Sequence, residues 1–498
     1  MNDRERFGSR LGFILVSAGC AIGIGNVWKF PYLAGANGGA AFIIIYLIFL
    51  LILGIPIMTA EFAVGRGSMR STGKAFGILQ PKGTKWSHYG PLALAGNYLL
   101  MFFYTMVAGW MLYYIYEMAS GKLTGLDPDG VAGNFGGMLG SGGTMFAWTV
   151  VAIVISFGIC ALGLKGGVEK VTKVLMSALL ILMVIMAIRA VTLPGAMAGL
   201  KYYLVPDFHA LVENGIGNVC FAAMGQAFFI LSVGIGSMEI FGSYIGKDRS
   251  LFGEAVSITA LDTFVALVAG LIVIPSCFAF GVEPGAGPGL VFISLPNIFN
   301  AMPGGQIWGS LFFIFLSFAA LSTVIAVFEN IIGFSMDLWN MTRKKAVAIN
   351  LIVVIVGSIP CVLGFNLWSG LHPFGPESNI MDLEDFIVSN NLLPLGSLVF
   401  VLFCVKKYGW GWENFLAEVN LGKGMKFPQV KGYILFILPI IILIVYVKGC
   451  LDFFAGQGLP TYAAVIYIII VLAIFAYIIF GRKKGTVPNP VGKAGADA

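Results

Sequence analysis

The sequence predicts an all-α polytopic membrane protein of twelve transmembrane helices, with helices 1 and 6 broken. Three observations predict it. First, the 498 residues are 58% hydrophobic and 11% charged, with a mean hydropathy of +0.91. A soluble domain holds about 45–50% apolar and about 25% charged residues. A large soluble enzyme, a disordered chain and a nucleic-acid binder are therefore excluded. Second, the apolar residues gather into runs of the length that crosses a bilayer core, about 20 residues. Third, two of those runs are interrupted by glycine clusters. The net charge of +6 is spread between the apolar runs and gives no argument for nucleic acid.

The runs fall at roughly 11–36, 41–65, 90–117, 144–163, 169–196, 213–245, 252–281, 305–339, 346–364, 381–405, 432–449 and 459–481. They are numbered below as segments 1 to 12. An even number of crossings puts both ends on one side. All but five of the 30 basic residues (Lys29, Lys122, Arg189, Lys201 and Lys448) fall on that same side. The positive-inside rule makes it cytoplasmic. Residues 1–10 and 482–498 are then cytoplasmic tails. No cleavable leader is expected, because the MNDRERFGSR start is polar and the run after it is too long and lacks a small-residue cleavage pattern. Outer loops are short, apart from a Gly-rich one at 125–143 and the 365–381 stretch. The sequon at Asn340 falls on the cytoplasmic side and is read as chance. Seven cysteines form no CxxC pair, and His88, His209 and His372 lie far apart, so no metal knuckle or disulfide framework is indicated.

Segment 1 carries Gly19, Gly23 and Gly25, and segment 6 carries Gly234 and Gly236. Each mid-helix glycine costs about 1 kcal/mol against alanine. Unwound backbone at membrane depth is tolerated only where it is buried in protein or lines a cavity. Freed carbonyls then suit cations, and half-helix N-termini suit a carboxylate. Both breaks read Gly-Ile-Gly followed by a small polar residue (Asn26, Ser237), five segments apart. This suggests two five-helix repeats around a transporter's central site. The alternative is that the glycines only let helices pack closely.

Ionisable groups inside segments are Glu61, Arg189, Glu239, Asp262, Glu329 and Asp337. Such groups are functional by default. Asp262 sits in ITALDTFVALVAG with no basic residue nearby, so its partner is expected to be a cation or proton. Glu61, Arg189 and Asp337 lie near segment ends, where snorkelling explains them. Glu239 is expected either to line an inward exit or to be a solvated helix-end group. Adjacent Ser322 and Thr323 are either hard oxygen ligands or hydroxyls bonded back to the previous turn.

At this point the chain resembles a known family, the bacterial branch of the neurotransmitter:sodium symporters, over essentially its whole length. The motifs are RLGFILVSAGCAIGIGNVWKFPYLAGANGGAAF, FFYTMVAGWMLYY, GQAFFILSVGIG, ALDTFVALVAG, AGPGLVFISLPNIF, FAALSTVIAVFENIIGFSMD and LEDFIVSNNLLPLG. The resemblance implies inverted five-helix repeats at 11–200 and 201–406, with helices 11 and 12 following at 407–481. It implies sodium-coupled symport of a neutral, hydrophobic amino acid by alternating access, in the cell (cytoplasmic) membrane, by a monomer or homodimer. One sodium site would use the carbonyls of Gly19, Ile22 and Ala319 and the hydroxyls of Ser322 and Thr323. The other would use the Ala21 and Ile230 carbonyls, Asn26, Asp262 and the substrate carboxylate, which couples substrate to ion. That carboxylate would also meet Ile24, Gly25 and Tyr104. The ammonium would meet carbonyls near Ala21 and Phe229. The side chain would lie among Cys20, Leu100, Phe229, Ser232, Ile235, Thr323 and Val327. Glycine at position 23, where monoamine-transporting relatives have aspartate, implies a substrate that brings its own carboxylate. The implied gates are Lys29 with Asp385 outside, and Arg4 with Asp337 near Phe7 and Tyr244 inside.

The chain departs from the family pattern at several positions. Lys29 replaces the usual arginine and loses its bidentate fork; Phe7 replaces the tail's tryptophan. Ile230 stands where relatives have Ser or Thr serving sodium and chloride. Asp262 replaces the usual asparagine. Ala266 replaces a serine, or a glutamate in one bacterial relative. Asp262, beside Tyr46 and Gln226, is expected to supply the charge that chloride supplies elsewhere and to take a proton on the empty return. Two sodium ions are expected, or one if Ile230 abolishes the first site. The alternative function is a substrate-binding sensor or channel-like member with little coupled transport. An enzyme is not expected, since no HExxH, carboxylate pair or Ser-His constellation is present.

Overall fold

The computed structural model describes residues 5–213, 215–283, 289–376 and 378–492. Ten helices among them are long and apolar enough to cross a membrane. They are Ala40–Ser68, Trp86–Ala119, Gly142–Ala161, Leu164–Val191, Leu251–Ala279, Gly305–Trp339, Arg343–Leu363, Ile380–Val405, Tyr433–Gly456 and Thr461–Phe480. They correspond to segments 2–5 and 7–12. Segment 1 is a bent pair, Arg10–Ala21 and Gly25–Ala36, with a 59° change of direction. Segment 6 is two pieces, Ile216–Ile230 and Ser237–Gly242, of 15 and 6 residues. The described residues thus hold ten such helices, or eleven counting the bent pair, and a count of twelve depends on broken segment 6.

Burial sorts the segments into centre and rim. In segments 8 and 10, 83% of the most apolar stretch is inside the protein, against 28% in segments 5 and 12. Segment 8 packs along segment 3, and the first half of segment 1 lies against segments 5, 7 and 8. Hydroxyls inside the helices mostly serve themselves. Thr59, Thr105, Thr149, Ser276, Ser358 and Ser397 each donate to the carbonyl one turn back at 2.7–2.8 Å. That satisfies a polar group where no water is at hand.

The Gly-rich outer stretch is not an irregular loop. Residues Pro128–Gly140 form a helix whose N-cap, Asp127, accepts from the Gly130 amide at 2.8 Å. An aspartate cap followed by proline at the first helical position outweighs the glycines that follow.

Two end-of-segment readings are corrected. Glu61 does not snorkel. It is fully buried and accepts the amides of Gly234, in the break of segment 6, and of Met238 (3.2 Å) and Glu239 (3.3 Å), in the first turn after it. Asp337 is nearly buried and accepts the Ser71 amide at 2.6 Å, with Arg70 at 3.8 Å. Arg189 fits the interfacial reading, half-buried with its guanidinium 5.7 Å from the Trp308 ring.

The break of segment 6 needs its glycines. Gly234 has φ +108° and Gly236 φ +80°. A Cβ on Gly234 would run into the Leu393 carbonyl. Gly234→Ala should therefore lower the unfolding midpoint of the detergent-solubilised protein by several degrees, since forced left-handed backbone alone costs about 1–2 kcal/mol. Gly217→Ala, in open space within a helix, should not lower it. Equal midpoints for the two variants would contradict this account.

Candidate functional site

The two breaks face one another across segments 3, 7 and 8. In segment 1 the Gly23 amide turns to the Asn26 side chain at 3.2 Å, and the Asn26 amide goes to the Gly23 carbonyl at 3.2 Å. Neither amide reaches the carbonyl four residues back, so Gly19 and Ile22 lose their helical donors. Both carbonyls point at the Thr323 hydroxyl, at 3.2 and 3.3 Å, and Ala319 lies 3.3 Å from the same oxygen. Ser322 donates to the Ala319 carbonyl at 2.9 Å. One hydroxyl proton serves one carbonyl at a time. Five oxygens from Gly19, Ile22, Ala319, Ser322 and Thr323 therefore form an acceptor-rich cluster, chemically suited to a hard cation.

The second cluster surrounds Asp262, which is fully buried in segment 7. Asn26 donates to its Oδ1 at 2.8 Å and to its carbonyl at 3.2 Å. Its Oδ2 has no hydrogen-bond partner among the described residues. No basic side chain lies within 4.0 Å of it among the described residues. The Tyr46 hydroxyl and Gln226 Oε1 are likewise buried without partners among the described residues. Gln226 Nε2 donates to the Gly25 carbonyl at 3.1 Å. Buried polar atoms are normally satisfied, so such orphans mark a place for an ion or water. Ala266 is buried one turn further along segment 7, Ala21 ends the first half of segment 1, and Ile230 ends the first half of segment 6.

Between the clusters, the Ile24 amide donates to the Tyr104 hydroxyl at 3.0 Å, and Ser232 donates to the Cys20 carbonyl at 3.2 Å. A Cβ at Gly23 would overlap the Tyr104 hydroxyl and come within 2.7 Å of Thr323 Oγ1. One at Gly25 would lie 2.8 Å from the Phe229 ring. Neither position has room for a side chain. Cys20, Ile235 and Val327 are fully buried, and Leu100, Tyr104 and Thr323 nearly so. Phe229 faces a cavity of about 410 Å³, which Lys29, Gln226 and Asn390 also line.

The residues expected to form the two gates stand differently. Outside, no ion pair within 4.0 Å joins Lys29 to Asp385. The Lys29 ammonium sits 4.0 Å over the Phe229 ring, and Asp385 accepts from Ser389 at 2.5 Å. A lysine without arginine's fork takes the aromatic face instead. Inside, Arg4 lies outside the described residues. Tyr244 donates to Glu329 at 2.9 Å, and Arg343 grips the same carboxylate with two nitrogens at 2.7 and 2.8 Å. Glu5 joins Arg343 at 3.2 Å. The tail is tied down further: Glu169 accepts from the Gly8 amide and the Ser9 hydroxyl at 2.7 and 2.9 Å, and Arg10 pairs with Glu254 at 2.9 Å. Phe7 packs on Phe13 and Tyr244 at 5.6 and 6.0 Å. The sequence reading missed Arg343, counting it only among the positive-inside residues. Its signal was the buried Glu329, which lacked a partner within its own segment. Glu239 is fully buried and accepts from Thr72 at 2.9 Å, so the solvated helix-end reading is overturned.

Comparison with known proteins points to one family. The profile of the sodium:neurotransmitter symporter family matches residues 4–126 and 137–482. An uncharacterized sodium-dependent transporter of Bacillus subtilis, YhdH, is 35% identical over 90% of this chain and 98% of its own. The sodium- and chloride-dependent GABA transporter 2 of Rattus norvegicus is 25% identical over 91% of this chain and 81% of its own. Among solved structures, that of MhsT in complex with L-phenylalanine superposes with a TM-score of 0.79 at 38% identity, covering 89% of this chain and 99% of MhsT. The chain is a membrane-spanning, sodium-coupled transporter and not an enzyme: it belongs to the sodium:neurotransmitter symporter family.

Proposed function

We propose that this transporter imports a neutral amino acid with a hydrophobic side chain, driven by two sodium ions, in a cycle that does not require chloride. The observation that carries the reading is the pair of oxygen clusters at the two breaks, one around Thr323 and one around Asp262, flanking a pocket closed to side chains at Gly23 and Gly25. The ammonium and carboxylate of an amino acid complement the broken backbone. The carboxylate meets the Ile24 and Gly25 amides and Tyr104, and completes the ligands of the sodium held by Asn26, Asp262 and the Ala21 and Ile230 carbonyls. The second sodium sits among Gly19, Ile22, Ala319, Ser322 and Thr323. The uncharged lining of Cys20, Leu100, Phe229, Ser232, Ile235 and Val327 favours an apolar side chain. The phenylalanine in the MhsT structure supports the same substrate class.

The Asp262 carboxylate is buried and has no basic side chain within 4.0 Å among the described residues. It supplies a fixed negative charge to balance sodium, and a proton takes sodium's place on the empty return. Each sodium carried inward gains about 2.3 kcal/mol per 100 mV. The repeats at 11–200 and 201–406 rock between states in the cell membrane with both termini cytoplasmic. Arg4, Asp337, Tyr244 and Arg343 close the inside, and Lys29 and Asp385 close the outside.

Uptake of labelled neutral amino acids into proteoliposomes tests this directly. An inward sodium gradient should drive accumulation of an apolar amino acid equally in chloride and gluconate. Asp262→Ser should make uptake depend on chloride. Chloride-dependent uptake by the unaltered protein would sink the Asp262 assignment. Thr323→Val removes one hard ligand and should raise the half-saturating sodium concentration about tenfold or more, the equivalent of about 1.4 kcal/mol. An unchanged sodium curve would remove Thr323 from the site.

A further inference from the structure

On the cytoplasmic side of the pocket two buried asparagines meet. Asn97 lies three and seven residues before Leu100 and Tyr104, so all three share one face of segment 3. Asn330 lies three and seven residues after Val327 and Thr323, on the same face of segment 8. Both are fully buried. Asn97 Nδ2 donates to the Ala93 carbonyl at 2.7 Å and to the Ile235 carbonyl, in the break of segment 6, at 2.9 Å. Its Oδ1 accepts from Asn330 Nδ2 at 3.0 Å.

This network decides which way each amide points. Both Asn97 N–H groups are committed to carbonyls, so its oxygen is the end that meets Asn330. Asn330 must therefore offer its NH2 there, and its own oxygen is left over. That oxygen is buried and has no hydrogen-bond partner among the described residues. Leucine would fill such a place by packing alone. A buried acceptor without a donor among the described residues, one turn inward of pocket residue Val327 on the same helix, asks for a donor from outside the chain.

We infer that Asn330 sets the substrate preference: its Oδ1 accepts a hydrogen bond from a donor at the far end of the substrate's side chain. The substrate class is then narrower than apolar. It is an aromatic amino acid with an O–H or N–H at its tip, a phenol or an indole, in preference to the same ring without one. The inference rests on the amino-acid reading above. Seven residues from Tyr104 to Asn97 rise about 10 Å along segment 3. That span matches an aromatic amino acid plus one hydrogen bond, with its carboxylate at the Tyr104 and Ile24 end. A site that pairs with a substrate hydroxyl discriminates against the analogue lacking it far more strongly than an apolar wall does.

The test is competition for sodium-driven uptake of labelled phenylalanine by the full chain in proteoliposomes. Unlabelled tyrosine and tryptophan should inhibit at concentrations at least tenfold below that for unlabelled phenylalanine. Asn330→Leu should bring the tyrosine-to-phenylalanine ratio to within threefold of one. Asn330→Ala provides the same comparison if the leucine variant fails to fold. Equal inhibition by tyrosine and phenylalanine in the unaltered protein would overturn the inference and mean that water satisfies Asn330. So would a ratio that survives in the folded variant. Phenylalanine uptake that persists in either case leaves the amino-acid reading standing. Absence of sodium-driven uptake of all three would overturn that reading, and this inference with it.

Discussion

A buried carboxylate holds open the break on which the site depends. Backbone amides at membrane depth have no water to pair with, so an unwound stretch survives only if side chains take its donors and acceptors. Glu61 takes the amides of Gly234, Met238 and Glu239. Tyr89 donates to the Gly234 carbonyl, and Asn97 to that of Ile235. With those groups satisfied, segment 6 can stop at Ile230 and restart at Ser237 without a helical connection. Ser232 then reaches the Cys20 carbonyl in segment 1 and ties the second break to the first. The Asp262 neighbourhood draws Gln226 from segment 6 and Asn26 from segment 1, whereas the Thr323 cluster needs only the break of segment 1 and the hydroxyls of segment 8.

Charge is distributed unevenly across the two faces. On the inside, Arg343, Glu329 and Tyr244 form a buried network, and Glu169 and Glu254 hold the N-terminal stretch against it. Breaking such a pair leaves an uncompensated buried charge, which costs about 3–5 kcal/mol. On the outside, Lys29 rests on Phe229 and Asp385 on Ser389, beside a cavity of about 410 Å³. The structure therefore holds the inside bolted while the outer charges stand apart. Alternating access requires the reverse arrangement as well. A cation resting on a ring is worth only about 0.5–2 kcal/mol, less than the buried network on the inside.

Much of this was legible in the sequence, for physical reasons that differ by element. Apolar runs near 20 residues and glycine clusters are local signals, so the segments and both breaks could be read directly. The Thr323 cluster and the pairing of Asn26 with Asp262 join residues hundreds of positions apart, and only the family resemblance brought them together. Depth was the hidden variable. Glu61 and Asp337 looked like end-of-segment groups because their distance from the membrane surface cannot be counted along the chain. Arg343 looked like one more cytoplasmic cation because its partner sits in the preceding segment across a tight turn. The Gly-rich outer stretch reads as a loop, and its helix starts from the Asp127 cap and Pro128.

The most direct test of the central claim, that both breaks are built around sodium, is hydrogen–deuterium exchange with sodium replaced by potassium at constant ionic strength. Sodium should slow exchange specifically in peptides covering residues 19–26 and 229–237, where unwound amides lie beside the proposed ligands, and leave segments 11 and 12 unchanged. Equal exchange in the two salts, or protection spread evenly over all segments, would contradict the account.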